Sequence, residues 1–185
     1  ISKCGPDSIM TNAFINSKFE QNRLELNKTK CHQIHVGNND KRCPKLKAHD
    51  EIMVKAKEDK YVGDILSNDG KINKTVKNRT MKGLGIVSNI MNIVQEISLG
   101  KHHFEISMLL RDSMLMSSIF LNSETWLNVT TEDMDMLESV DKIMMRRILN
   151  VPTSTSIPAL YLELGAIPIK FIIKARRLLF LQYIL

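Results

Sequence analysis

The spacing of hydrophobic positions along the chain changes near residue 72. Before it, polar and apolar residues alternate over short runs that close in turn sequences such as Asn68-Asp69-Gly70, a pattern typical of strands. After it, apolar residues recur every three or four positions over long runs, which is the spacing of an amphipathic helix. The pattern therefore predicts an α+β fold, in which a mixed first part is followed by an all-helical part.

The first part is predicted to open with a helix and to continue as an antiparallel ribbon. Asp7 is the candidate N-cap of the helix, which is expected to fade near Asn22. The alternating run 31–36 predicts a strand, residues 45–55 predict one or two more, and Lys60–Leu66 predicts another. One face of the helix is expected to carry Met10, Ala13, Phe14 and Ser17.

The helical part is predicted to contain four main segments. The first is expected to begin near Arg79, and the second, Phe104–Leu121, is so apolar that we expect it to lie centrally. The third, Thr130–Leu149, begins with Thr130 and Asp133 in the spacing of a capping box. After Pro152 and a Ser/Thr loop, Pro168 fits the first turn of a last helix, Ile169–Leu185. The apolar stripe of the first helix is Met81, Leu84, Val87, Ile90, Met91, Val94 and Ile97, and that of the third is Met134, Leu137, Val140, Met144 and Ile148.

Charge and cysteine content narrow the class of protein. The net charge of +6 favours a polyanionic partner or an anionic membrane surface. The two most apolar stretches, 104–121 and 157–185, contain charged residues, so we expect helices of a soluble protein and no membrane partner. Three cysteines do not form a secreted disulfide framework. We therefore expect an intracellular location, nuclear or cytoplasmic.

The two ends of the chain suggest a piece of a longer protein. The sequence begins at Ile1 without a Met and stops at Leu185 inside an apolar helical run. No capping residue follows that run. We therefore expect an internal piece of a larger protein.

Basic side chains concentrate on both sides of residue 72. If four to six of them met phosphates, affinity would fall with a log–log salt slope of roughly −3 to −5. The ordinary alternative for a run of charges is a solvated helix face. The residues are Lys55, Lys57, Lys60, Lys71, Lys74, Lys77, Arg79 and Lys82.

Motifs of enzymatic chemistry are missing from the sequence. Neither G-x-S-x-G nor a phosphate-binding loop occurs, and no two Asp residues are adjacent. Cys31, His35, Cys43 and His49 could be arranged as a zinc site, but they lack a tight pair such as C-x₂-C. Reduced cysteines and ordinary sheet histidines are the simpler interpretation. We assign no metal ligands.

Five sequence elements nevertheless follow one another in a recognisable order. They are Leu26-Asn27-x-x-Lys30, Lys60-Tyr61-Val62-Gly63-Asp64, Met81-Lys82-Gly83-Leu84-Gly85-Ile86-Val87, Asn122-Ser123-Glu124-Thr125-Trp126 and Tyr161–Ile169. In this order they resemble the reverse transcriptases of non-LTR (LINE-like) retrotransposons, over essentially the whole chain and beginning after the family's catalytic aspartates. The resemblance implies that residues 1–70 are the end of a polymerase palm, 71–150 the helical thumb and 151–185 the start of a connecting segment.

The resemblance also implies roles for single residues. Lys30, with Lys28 as the fallback, stands at the lysine of polymerase motif D, a general acid that protonates the departing pyrophosphate. Tyr61-Val62-Gly63 resembles the primer grip, although the family usually has Leu where Val62 stands. Trp126 is expected in the thumb core. Contacts to the phosphates of an RNA template–DNA primer duplex are expected from Lys60, Lys74, Lys77, Arg79 and Lys82.

The family's catalytic Asp pair is absent from this chain and is expected upstream of Ile1. The Mg²⁺ of a full-length RNA-directed DNA polymerase would then be bound by carboxylates outside the chain, which would be inactive without the rest of the polypeptide. Two alternatives stay open. One is a stand-alone basic helical interaction module with a protein partner, and the other is a zinc-dependent nucleic-acid-binding domain.

Overall fold

The computed structural model describes residues 6–24, 27, 30–36, 44–48, 51–96, 102–126 and 128–185. The chain forms two compact units, residues 1–71 and 72–185. Among the described residues, one helix and six short strands make up the first unit, and the second unit is helical. This mixture is compatible with the predicted α+β class. The division coincides with the change of pattern near residue 72, whereas the segment 151–185 belongs to the second unit.

The strands of the first unit are short and form three separate pairs among the described residues. Strand β1 (His32–Gln33) runs parallel to β4 (Val54–Lys55). Strands β2 (Lys47–Ala48) and β3 (Glu51–Ile52) are antiparallel. The predicted ribbon is therefore wrong for the β1–β4 pair, which is parallel.

The last pair of the first unit is a hairpin of β5 (Glu58–Tyr61) and β6 (Asp64–Ser67). The prediction of one strand over Lys60–Leu66 is wrong because the chain reverses at Val62 and Gly63. Both residues have positive φ, 48° and 89°, as in the type I′ turns that join antiparallel strands.

Helix α1 (Pro6–Gln21) opens the first unit close to its predicted bounds, and Asp7 lies inside it instead of capping it. The side-chain amides of Asn12 and Asn16 donate to the carbonyl oxygen of Lys47, at 2.7 and 3.0 Å. This polar side lies against β2, while the predicted apolar face, including Met10 and Phe14, is exposed. Periodicity located the helix but not the side that it buries.

Helices α2 (Asn73–Glu96) and α5 (Thr131–Leu149) pack against each other in the second unit. Helix α2 begins well before the predicted start near Arg79. Its predicted stripe is wrong in the first turns, because Met81 and Leu84 are exposed; Ile97 lies outside the described residues. The buried side chains of the core include Val76, Val87, Ile90, Val94, Leu115, Ile119, Trp126, Leu137, Val140, Met144, Leu160, Ile169 and Ile173, and Trp126 was predicted to be among them.

A continuous helical stretch crosses the centre of the second unit, close to the predicted Phe104–Leu121. It consists of α3 (His103–Leu110), a π-helical segment (Arg111–Met116, the π turn) and α4 (Ser117–Phe120). Buried positions within it recur every four residues, at 107, 111, 115 and 119. On a straight α-helix such positions would drift by about 120° over three steps. The wider π turn offsets that drift and keeps them on one side.

The remaining helices follow their capping signals. The predicted capping box of α5 is confirmed: Asp133 N–H donates to Thr130 Oγ1 (3.1 Å) and Thr130 N–H donates to the Asp133 carboxylate (3.1 Å). The sequence interpretation missed α6 (Ile157–Glu163), which has Pro158 in its first turn. Pro168 is the N-cap of α7 (Ile169–Ile184). Within the described ranges, none of the helices has both the length and the apolar content to cross a membrane.

Candidate nucleic-acid interface

The hairpin of the first unit presents its turn residues to solvent. Tyr61 is 67% exposed, and Val62 beside it is also exposed. A β-branched residue at positive φ is unfavourable, and such backbone strain costs about 1–3 kcal/mol. Gly63, at φ 89°, adopts its conformation without that cost. The turn therefore carries an exposed ring next to backbone that a ligand can approach closely.

Hydrogen bonds fix the strand that leads to this turn. The carboxylate of Asp59 lies 2.9 Å from His32 Nδ1 and accepts a hydrogen bond from the backbone N–H of Lys60 at 2.7 Å. The bond with His32, followed by that with Lys60, lowers the pKa of Asp59. Because His32 is on β1 and Asp59 on β5, the pair ties two of the strand pairs together. The Lys60 side chain is exposed beyond it.

Lys30 lies just before β1, with its side chain exposed. Its backbone N–H donates to the carbonyl oxygen of Asn27 at 3.0 Å, which closes a short turn. Lys28, the fallback for the same role, lies outside the described residues. The structure therefore leaves the Lys30 ammonium accessible, at the start of the segment that leads to His32.

Helix α2 carries the basic face of the second unit. Lys74, Lys77 and Lys82 are exposed, and at about 100° per residue they lie within one half of the helix circumference. No residue from Asn73 to Gln95 is acidic. We call this exposed side of α2 the basic face. The only carboxylate of α2, Glu96, is its last residue, about 21 Å along the helix from Lys82.

Arg79 does not belong to the basic face. Its side chain is 3% exposed, and Nη1 donates to the carbonyl oxygen of Ser118 on α4 at 3.3 Å. It therefore helps to hold α2 against α4. The structure removes Arg79 from the predicted phosphate contacts, because a buried guanidinium is not accessible to a phosphate.

The basic face ends in a polar cavity that sequence reasoning missed. Its volume is about 410 Å³, and none of its described lining residues is acidic. The signal that could have located it is the absence of Asp and Glu from Asn73 to Gln95, together with the basic last turn of α5. We call this cavity the α2–α5 pocket; it is lined by Ser88, Met91, Asn92, Gln95, Arg147 and Asn150.

A second feature that the sequence interpretation missed is a buried ion pair between the π turn and α5. Arg111 donates to both carboxylate oxygens of Asp141, from Nε at 2.7 Å and from Nη2 at 2.9 Å. Its Nη1 donates to Asp112 at 2.7 Å. Burial opposes the charge on Arg111, but the hydrogen bonds and charge of Asp141 outweigh burial and raise the pKa of Arg111. Burial raises the pKa of Asp141, and the bonds from Arg111 oppose that rise.

The hydroxyl of Tyr161 completes this buried polar group. Burial raises the pKa of Tyr161, and the negative charges of Asp141 and Glu138 raise it further. The hydroxyl therefore stays protonated at neutral pH. A hydrogen-bonded Arg–Asp pair beside a neutral phenol offers no activated nucleophile, so we assign these residues to the architecture of the helical unit.

The described part of the chain contains no complete set of ligands for a metal ion. Cys31 is half-buried and not in a disulfide, while Cys43 and His49 lie outside the described residues. Among the described residues, no group of three or more His, Cys, Asp or Glu is placed to hold a metal ion.

Comparisons with protein-family models, curated proteins and solved structures gave no match to this chain.

Proposed function

We propose that this chain is the end of the palm and the thumb of an RNA-directed DNA polymerase of a non-LTR retrotransposon, acting inside the cell. Its own task would be to hold the RNA template–DNA primer duplex for a metal centre whose ligands lie outside it. The observation that carries the proposal is the exposed basic face of α2, whose lysines have no acidic neighbour from Asn73 to Gln95. The likeness of the five sequence elements supports it.

The basic face suits a polymer with regularly spaced phosphates. Each phosphate that a lysine neutralises releases condensed counterions, so affinity comes from the backbone and does not depend on base sequence. A polymerase needs such binding because it must hold every sequence that it copies. The lysines extend from flexible stems on a rigid helix, which lets each ammonium reach the nearest phosphate.

In this proposal the hairpin of the first unit holds the primer strand. The Tyr61 ring is large, exposed and beside a turn, so it can pack against a sugar or a base. Gly63 allows the primer backbone to come close to the turn. Lys60, one residue earlier and also exposed, supplies a positive charge for the primer phosphates.

Exchanging the lysines of α2 tests duplex binding by the chain. We expect Lys77→Gln/Lys82→Gln to reduce the log–log salt slope by about 2 and the affinity on the order of 50-fold at 0.1 M salt, since two phosphate contacts are lost. Fluorescence anisotropy of a labelled RNA–DNA duplex, titrated with the 185-residue chain between 50 and 200 mM salt, measures both quantities.

The matched control is Lys170→Gln/Lys174→Gln, which removes the same charge from exposed positions on α7. We expect this variant to bind almost as the parent does. Equal losses in the two double variants would mean that only net charge matters. Binding that neither variant alters would contradict a role for the basic face.

A separate prediction concerns Lys30. In a polymerase that contains this chain, Lys30→Ala should slow single-nucleotide addition by about 10²–10⁴-fold, the usual contribution of a positioned general acid, and should leave template–primer affinity nearly unchanged. Rapid-quench measurements give the rate of addition, and anisotropy gives the affinity. A variant as fast as the parent would remove Lys30 from the active site.

The exposed apolar side chains of α7 favour the second candidate, a protein-binding helical module. Leu178, Leu179 and Tyr183 are all exposed on the last turns, and exposed apolar clusters mark protein contacts. The duplex titration separates the two candidates. A module of this kind would bind neither RNA–DNA nor DNA duplexes with a steep salt dependence.

A further inference from the structure

We propose that the α2–α5 pocket is a second phosphate-binding site, with Arg147 as its cation, that holds the duplex beyond the lysines at the far end of α2. This inference rests on the proposed function and adds a contact that no sequence element of the family resemblance includes. It also assigns a role to α5, which otherwise appears only as a core helix.

The lining of the pocket matches the chemistry of a phosphate group. Ser88, Asn92 and Asn150 bring a hydroxyl and two amides, and Arg147 brings a guanidinium that can donate two parallel hydrogen bonds. None of the described lining residues is acidic, and the carboxylate of α2 that lies beside the pocket in sequence is Glu96, which follows Gln95. Phosphate oxygens accept hydrogen bonds and carry negative charge, so each of these groups can contribute.

The end of α5 leaves the Arg147 side chain available for this role. A basic side chain in the last turn of a helix can cap the helix by donating hydrogen bonds to its last carbonyl oxygens. Here the backbone N–H of Asn150 already donates to Arg147 O at 3.3 Å, and that of Val151 donates to Arg146 O at 3.1 Å. Asn150 has φ 52°, the left-handed conformation of such a closure. The Arg147 guanidinium is exposed beside it.

The pocket lies on the path that the lysines define. From Lys77 to Asn92 the rise along α2 is about 22 Å, which corresponds to roughly seven base pairs of duplex. Gly85 lies between them, and a Cβ built there would meet no atom within 4 Å. A strand lying along α2 can therefore come close to the helix backbone at its middle and reach the pocket at its end.

A single exchange in the pocket tests the inference. Arg147→Gln should lower the affinity of the 185-residue chain for a 16-base-pair RNA–DNA duplex by about eightfold at 0.1 M salt and reduce the salt slope by about 1. Lys170→Gln, an exposed charge change on α7, is the control and should bind as the parent does. Circular dichroism verifies that each variant is folded.

Each outcome decides a different claim. A loss in Arg147→Gln that Lys170→Gln does not share supports the pocket as a phosphate site. Unchanged binding of Arg147→Gln, with a loss in Lys77→Gln/Lys82→Gln, overturns the pocket and leaves the proposed function standing. Equal losses in Arg147→Gln and Lys170→Gln also overturn it, since a general charge effect needs no second site. If neither the lysine nor the arginine variant changes binding, both proposals fail.

Discussion

Asp141→Asn is expected to destabilise the helical unit by about 3–5 kcal/mol, since breaking the buried ion pair leaves the Arg111 charge inside with only the exposed Asp112 as its counter-charge. Asp141 is completely buried and Arg111 is 4% exposed. The guanidinium of Arg111 would remain inside with one hydrogen bond to a neutral amide in place of two to a carboxylate. Arginine cannot escape this penalty by losing its proton. Urea unfolding followed by circular dichroism at 222 nm measures the free energy of unfolding.

The chain provides a matched control for that change. Asp112 accepts a hydrogen bond from the same guanidinium at the same 2.7 Å as Asp141 Oδ1, but its side chain is 63% exposed. Asp112→Asn is therefore expected to cost less than about 1 kcal/mol, because solvent screens an exposed pair. Equal costs for the two variants would show that burial does not govern the pair. Arg111→Met/Asp141→Leu, which removes both charges, should recover most of the loss.

This pair explains why a charged residue lies in the most apolar stretch of the chain. Arg111 begins the π turn, and its partner lies on α5, so the bidentate contact fixes the rotation of one helix against the other. Hydrophobic side chains alone fill volume without selecting one rotation. We infer that Arg111–Asp141 selects the alignment in which α2, α5 and the π turn share one core.

The main helices of the second unit could be predicted because their signals are local. Thr130 with Asp133 marked the start of α5, and Leu137, Val140, Met144 and Ile148 marked its buried side correctly. Asp141 lies inside that same stripe, so its burial was visible in the periodicity and was overlooked because it is charged. A charged residue in a buried stripe is a signal for a partner. The partner, thirty residues away, depends on how the helices pack.

The first unit was less predictable because its strands are only two to four residues long. Such strands are held by backbone hydrogen bonds, which leave little pattern in the side chains. Alternation indicated extended backbone around His32 but not its parallel pairing with Val54. The turn at Val62-Gly63 was hidden because Val rarely adopts positive φ. In α1 the two amides of Asn12 and Asn16 bind β2 and reverse the orientation that apolar periodicity suggests.

The candidate interface could be located from the sequence only in part. Which basic side chains are exposed depends on the side of the helix that packs against the core. Lys77 and Arg79 are two residues apart and therefore about 200° apart around α2. One is exposed and the other is buried against Ser118. A count of basic residues cannot distinguish them. Arg147 was missed for a related reason: it joins the basic face only through the packing of α5 on α2.

Replacing the two glycines of α2 with alanine is the second change with a large expected effect, because its effect on the free energy of unfolding should differ between Gly83 and Gly85. A Cβ at Gly83 would lie 3.0 Å from Val140 Cγ1 and 3.4 Å from Leu115 Cδ1, whereas one at Gly85 would meet nothing within 4 Å. Val140 and Leu115 are completely buried, so neither has space to move away. Gly83 therefore allows α2 and α5 to approach closely.

Both substitutions to Ala gain the same helix propensity, roughly 1 kcal/mol, so their difference isolates the packing. We expect Gly85→Ala to stabilise the chain by about 1 kcal/mol, and Gly83→Ala to be less stable than Gly85→Ala by about 1–3 kcal/mol, the usual cost of overpacking. Urea midpoints of the two variants, measured at equal m-values, give the comparison.

Val140→Ala supplies the deciding control because it removes the methyl group that the new Cβ would strike. In that background Gly83→Ala should become stabilising, so the two substitutions should be strongly non-additive. Additive effects, or a Gly83→Ala variant as stable as Gly85→Ala, would mean that the helices do not touch at this point. The same contact sets the position of α2 on α5, so Gly83→Ala should also displace Ser88 and Asn92 relative to Arg147. Duplex affinity should then fall, because the groups that line the α2–α5 pocket would no longer converge on one phosphate.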